Sequence, residues 1–128
     1  MALRIVRLGS PRAPGEGLRL GTVRRPPRGV PRAEYAARDF YDVWLPVLAP
    51  SAGLMAEGRA AATDREWATF ASRFRREMSR SDAAGVLDLL AVLSGQLDVS
   101  LGCYCEHRER CHRSVLADLL AERGAALA

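Results

Sequence analysis

Within eleven residues, Cys103-Tyr-Cys-Glu-His-Arg-Glu-Arg-Cys-His-Arg113, the chain gathers all three of its cysteines and both of its histidines. Thiolates are nucleophiles and soft metal ligands, and an unperturbed histidine titrates near neutrality. The segment could therefore carry covalent, acid–base or metal chemistry. An alternating apolar run, Leu97 to Leu101, leads in, and a helix-period run, Val115, Leu116, Leu119 and Leu120, leads out. The cluster thus falls on a strand-to-helix turn, the usual place for a site in α/β proteins.

Three chemistries fit these residues. In the first, Cys103, Cys105 and Cys111 hold zinc with His107 or His112; the ligand types suit zinc, but Cys-x-Cys is tighter than the usual spacing and no second paired motif exists. No metal or other cofactor is expected, and if zinc does bind, its ligands are Cys103, Cys105, Cys111 and His112. In the second, the loop and the helix start bind an anion through backbone amides and Arg108, Arg110 or Arg113. Here His112 is the candidate acid or base. Cys111 is a candidate nucleophile, its thiol lowered by the helix macrodipole and the flanking Arg110 and Arg113. Cys105 and Arg110 also have the C-x4-R spacing of a rhodanese-type thiolate loop, without its glycine. In the third the cluster is structural: Cys103, on one strand face with Val99 and Leu101, and Cys111 are packed thiols, and His112 donates to a backbone carbonyl.

Charge points toward the anion. Every basic residue is arginine, which a GC-rich coding sequence explains as well as function does. Their placement is more telling: residues 1–38 hold nine arginines against Glu16 and Glu34, a net of +7, while the remainder nets −3. Arginine's planar fork suits phosphate and carboxylate. In Arg24-Arg-Pro-Pro-Arg-Gly29 two prolines stiffen the backbone, so Arg24 and Arg28 lose little entropy on binding.

The elements that must position these groups follow from local pattern. Leu3 to Leu8 reads as a first strand and Leu18 to Val23 as a second, separated by the loop Ser10 to Gly17. A helix is expected from Pro31, with Ala36, Phe40, Val43 and Trp44 on one face, and Ala49-Pro-Ser51 caps a short helical turn. Thr63-Asp-Arg-Glu66 is a capping box, followed by Trp67, Phe70, Ala71, Phe74 and Met78 at helical spacing. Ser81 or Asp82 caps a further helix expected to bury Val86, Leu89, Leu90 and Leu93. Leu97 to Cys105 forms a strand, and the last helix runs from Cys111 to Arg123 and stops at Gly124.

The class is α/β: a small sheet of about three strands packed with four or more helices, ending in a helix–strand–helix unit. At 128 residues and 48% hydrophobic, one domain over residues 1–128 is expected. No apolar run is long enough for a membrane span, and the N-terminal Met-Ala-Leu-Arg-Ile-Val-Arg has no h-region, so no membrane partner and no secretory signal are expected. An odd cysteine count with two of them two apart suits a reducing, cytoplasmic setting.

Taken together, Gly21-Thr-Val-Arg-Arg-Pro-Pro-Arg-Gly-Val30, Trp44 with Ala49-Pro-Ser51, Phe70-x3-Phe-Arg-x-Glu77 and Cys103-Tyr-Cys…Cys-His-Arg113 resemble the YeaO-like family of small bacterial proteins, domain-of-unknown-function family 488, over roughly residues 3 to 123. The resemblance implies a compact α/β domain and no settled activity. The family's loop pattern, Asp-Arg-Leu-Trp-Pro-Arg-Gly, falls on residues 23–29, where Arg24, Pro27, Arg28 and Gly29 match. Val23 and Pro26 replace its acid and tryptophan, so a role needing that carboxylate is not expected. Cys111-His112-Arg113 matches the Cys-His-Arg branch; other members have Asn-His there, which counts against an obligatory three-cysteine metal site and favours His112.

The expected function is binding of a phosphate-bearing small molecule, such as a nucleotide, with Arg24, Arg28, Gly29, Arg110 and Arg113 binding the ligand and His112 and Cys111 as catalytic candidates. The alternatives are a nucleic-acid-binding accessory protein, for which no signature motif is present, and a zinc-stabilised interaction module.

Overall fold

The computed structural model describes residues 1–128. Four parallel strands, β1 (Leu3–Arg7), β2 (Leu18–Gly21), β3 (Val43–Trp44) and β4 (Val99–Cys103), form one sheet in the order β1-β4-β2-β3. Four α-helices accompany it: α1 (Ala52–Ala60), α2 (Asp64–Met78), α3 (Ser81–Leu93) and α4 (His112–Glu122). The sheet has one more strand than the sequence pattern indicates, and the α/β class and the closing helix–strand–helix order are as read.

β4 lies between β1 and β2, and all five of its residues are buried. Its two faces meet different partners, as the period of two requires. Val99 and Leu101 join Leu3, Leu20, Phe74, Leu87 and Leu116 in the main core beneath the helices. On the other face the Ser100 hydroxyl donates to the Glu16 carbonyl, and a Cβ on Gly102 would fall 2.3 Å from Leu8. Only glycine lets that segment approach.

The capping box forms at the head of α2, with the Thr63 hydroxyl accepting from the Glu66 amide at 3.1 Å. The buried stripe Phe70, Phe74 and Met78 is the one its spacing predicts. In α3 the buried face is Ala83, Leu87 and Leu90, whereas Leu89 is 56% exposed. Apolar residues surround that helix on nearly every side, so periodicity alone did not choose the face.

The helix expected from Pro31 does not form. A single 3-10 turn, Arg32–Glu34, gives way to turns, and Val43–Trp44 becomes the edge strand. Long-range ties override the local pattern. Asp39 takes a left-handed conformation (φ 64°), and its carbonyl accepts from the Arg19 guanidinium. Asp42 accepts from the Arg19 amide and from Arg12. Arg19 is wholly buried and paired with Glu16, and it also donates to the Ser10 and Pro11 carbonyls.

Because every strand is parallel, the chain leaves β1, β2 and β4 from the same end of the sheet. Leu8, Val23, Tyr41, Cys103 and Cys111 form a second, smaller core there. α4 begins at that end, its first residue following directly on Cys111.

Candidate active site

The loops after β2 and β4 are pinned to each other. The Thr22 amide and hydroxyl both donate to the Gly102 carbonyl at 2.9 Å. The Tyr104 hydroxyl donates to the Arg25 carbonyl, and the Trp44 indole donates to that of Val23. The arginine loop is thereby held across the sheet's carboxyl end, facing the start of α4.

His112 is buried and its ring state is fixed by its partners. Nε2 lies 2.6 Å from the Thr22 carbonyl, which can only accept, so Nε2 carries a proton. The Thr22 hydroxyl, 3.1 Å away, spends its own proton on Gly102 and accepts from the same nitrogen. Phe74 packs edge-on against the ring at 5.6 Å. Nδ1 is left facing the Cys111 sulfur at 3.7 Å, as the place where a thiol proton could rest.

Cys111 is 2% exposed, yet its thiol is held far below the usual range. The neighbouring Cys103 and Cys105 thiols contribute most; burial opposes them, and His112 adds to them. Arg113 Nε also donates to this sulfur at 3.3 Å, and Cys111 is the N-cap residue at the positive end of α4. Cys103 is pushed the opposite way by its bonds to Cys105 and Cys111 and by burial. Cys105 is raised as well: a bond from Cys103 lowers it, but Cys111 and burial outweigh that. Of the three sulfurs, Cys111 is the one shifted toward the thiolate, while Cys103 and Cys105 are shifted away from it.

These groups close one end of a cavity of about 1000 Å³. Arg24, Arg25, Pro26, Pro27 and Arg28 form one wall, and Met55, Ala56 and Arg59 of α1 form another. Trp67 and Phe70 stack on each other at 4.7 Å along the side. Arg110 lies over the Trp67 ring at 6.0 Å, anchored by Asp64 and the Thr63 carbonyl. Cys103, Cys105, Cys111 and His112 all border the space.

A family model, DUF488-N3a, described as the active DUF488-N3 subclade, matches residues 3–124. The chain belongs to the DUF488-N3a family. No curated protein and no solved structure matches it. The match spans both the arginine loop and the Cys/His cluster, in agreement with the YeaO-like resemblance.

In this DUF488-N3a chain, Arg24, Arg28, Arg110, Cys111 and His112 face one cavity. Two of the candidates lie elsewhere. Arg113 is buried, and besides the thiol it donates to the carbonyls of Val6 at 2.5 Å and Cys105 at 2.7 Å. Its place is behind the sulfur, where it ties β1 to the loop after β4. Gly29 stands outside the lining with φ 70°, a turn conformation that glycine adopts without strain.

Ligand atoms of Cys103, Cys111 and His112 lie within 4.8 Å of one another and could close on a soft divalent cation. Arg113 places a cation against one of those sulfurs, which favours a thiolate standing alone. His107 is exposed and apart from this group.

Sequence pattern did not point to Thr22, 90 residues from His112, nor to Arg59 on α1. Trp67 and Phe70 read only as core. Nothing local distinguishes an aromatic that packs inward from one that also walls a cavity.

Proposed function

We propose that the cavity binds a phosphate-bearing small molecule, such as a nucleotide, and that Cys111 and His112 act on it. The observation that carries this reading is the meeting of Arg24, Arg28, Arg110, Cys111 and His112 around one space. Of its 20 lining residues 11 are hydrophobic, a ratio that suits an organic ligand with a charged end rather than a bare anion. Arg24 and Arg28 take the anionic end, and Trp67, Phe70 and Phe40 offer apolar surface to the remainder. Cys111 is the nucleophile. His112 Nδ1 takes the thiol proton and can return it to a leaving group. The family's description as an active subclade favours catalysis over binding alone.

The nucleic-acid alternative rested on the basic first third of the chain. There Arg19 is buried against Glu16 and Arg12 is paired with Asp39 and Asp42, so two of the nine charges are already matched. Metal analysis separates the proposal from a zinc-held cluster: a structural zinc requires close to one ion per chain.

A thermal-shift screen of nucleotides, sugar phosphates and sulfate tests the ligand class. At least one phosphate ester is expected to raise the melting temperature, and Arg28→Ala is expected to weaken that hit roughly tenfold, about 1.4 kcal/mol. An unchanged response in Arg28→Ala overturns the assignment.

A further inference from the structure

Three thiols around one cavity end are more than a single nucleophile needs. The guanidinium of Arg113 touches two of the cysteines at once: Nε donates to the Cys111 sulfur, and Nη2 donates to the Cys105 carbonyl. Cys105 is exposed, and its sulfur lies 3.6 Å from that of Cys103. Cys111 is buried from bulk solvent but borders the cavity. We infer that Cys111 and Cys105 form a hydroperoxide-sensitive pair, in which Cys111 is the sulfur oxidised first and Cys105 the thiol that resolves it.

The steps balance as follows. The Cys111 thiolate attacks the distal oxygen of a hydroperoxide; an S–O bond forms and the O–O bond breaks. Two electrons pass from sulfur to the peroxide, whose departing oxygen takes a proton and leaves as water or an alcohol. The Cys111 sulfenic acid is then attacked by the Cys105 sulfur. The disulfide forms, and the sulfenic hydroxyl leaves as water with the Cys105 proton. A peroxide is small enough to reach a sulfur that only the cavity exposes. The charge on Arg113 and the nearby His112 favour the thiolate, and the thiolate is the species peroxides oxidise. Cys103 is less suited to resolve, because it sits at the end of the central strand with its neighbours packed around it. Cys105 lies on the loop beyond, where the backbone can give.

The consequence is a reversible block. A Cys105–Cys111 disulfide removes the proposed nucleophile without touching Arg24 or Arg28. The inference takes the nucleophilic Cys111 from the proposed function but needs no ligand, so the two fail separately.

The test treats the full reduced chain with a small excess of hydrogen peroxide and reads intact mass and mapped peptides. Wild type is expected to lose two hydrogens, with the cross-link joining Cys105 to Cys111, and to recover three free thiols after a dithiol reductant. In Cys105→Ser the reaction should stop at a Cys111 sulfenic acid, trapped by a cyclic dione. Cys111→Ser should slow the first oxidation by about tenfold or more, as expected when the sulfur held against the Arg113 guanidinium is removed. Circular dichroism confirms that both variants fold. Three free thiols persisting in wild type at a peroxide level that oxidises free cysteine overturns the inference. A cross-link that omits Cys105, or unchanged kinetics in Cys111→Ser, does so too.

Discussion

At the scale of single residues, the three sulfurs are shifted in opposite directions, and only Cys111 is shifted toward the thiolate. Cys111 is lowered chiefly by the thiols of Cys103 and Cys105 and then by His112, while Cys103 is raised by the same contacts. As pH falls, ultraviolet thiolate absorbance should report about one thiolate per chain well below the ordinary thiol range near 8.5. Cys111→Ser should abolish it. Linkage gives the sign for stability. A group lowered by folding contributes above its unfolded value, and that contribution is lost as pH falls through the folded one. No thiolate below pH ~8 in the wild-type chain contradicts the assignment. The residues of this cluster were legible in the sequence because they are rare types packed into eleven positions. Their roles were not. Arg113 reads as a ligand-binding arginine by its neighbours, and only the distant carbonyl of Val6 shows that it faces inward.

At the scale of elements, the buried Glu16–Arg19 pair organises the first third of the chain. Arg19 reaches the Ser10, Pro11 and Asp39 carbonyls, and Glu16 accepts from the Ala13 amide. For the Glu16 carboxyl, burial acts to raise the pKa, but the bonds from Arg19 and Ala13 outweigh it and leave it lowered. Glu16→Ala strands a buried guanidinium and is expected to cost about 3–5 kcal/mol in denaturant melts. Because the carboxyl is lowered in the fold, its contribution holds above the ordinary carboxylate range and fades as pH falls through the folded value. Glu16→Gln should flatten that acid dependence; an unaltered slope rules out the pair as its source. The same ties explain where local reading failed. Ala36, Phe40, Val43 and Trp44 have helical spacing, but Asp39 and Asp42 are committed to Arg12 and Arg19 across the fold. By contrast, α2 was legible because its capping box and stripe agree, and α4 because its stripe and its stop at Gly124 agree.

At the scale of the molecule, the parallel order β1-β4-β2-β3 sends the two arginine- and cysteine-bearing loops out of one end of the sheet. No sequence pattern gave that order, since it depends on which strands pair. The consequence is that residues 24–28, 103–105 and 110–112, far apart in the chain, border one cavity. No helix is long and apolar enough to cross a membrane.

Side-chain magnetic resonance of a nucleoside monophosphate titration tests the shared cavity most directly, using labelled arginine and histidine. The Nε–H signals of Arg24 and Arg28 and the ring signals of His112 are expected to move along one saturation curve, with one ligand per chain. Arginine signals that shift while His112 stays still, or no saturable shift with any phosphate ester, would contradict the account.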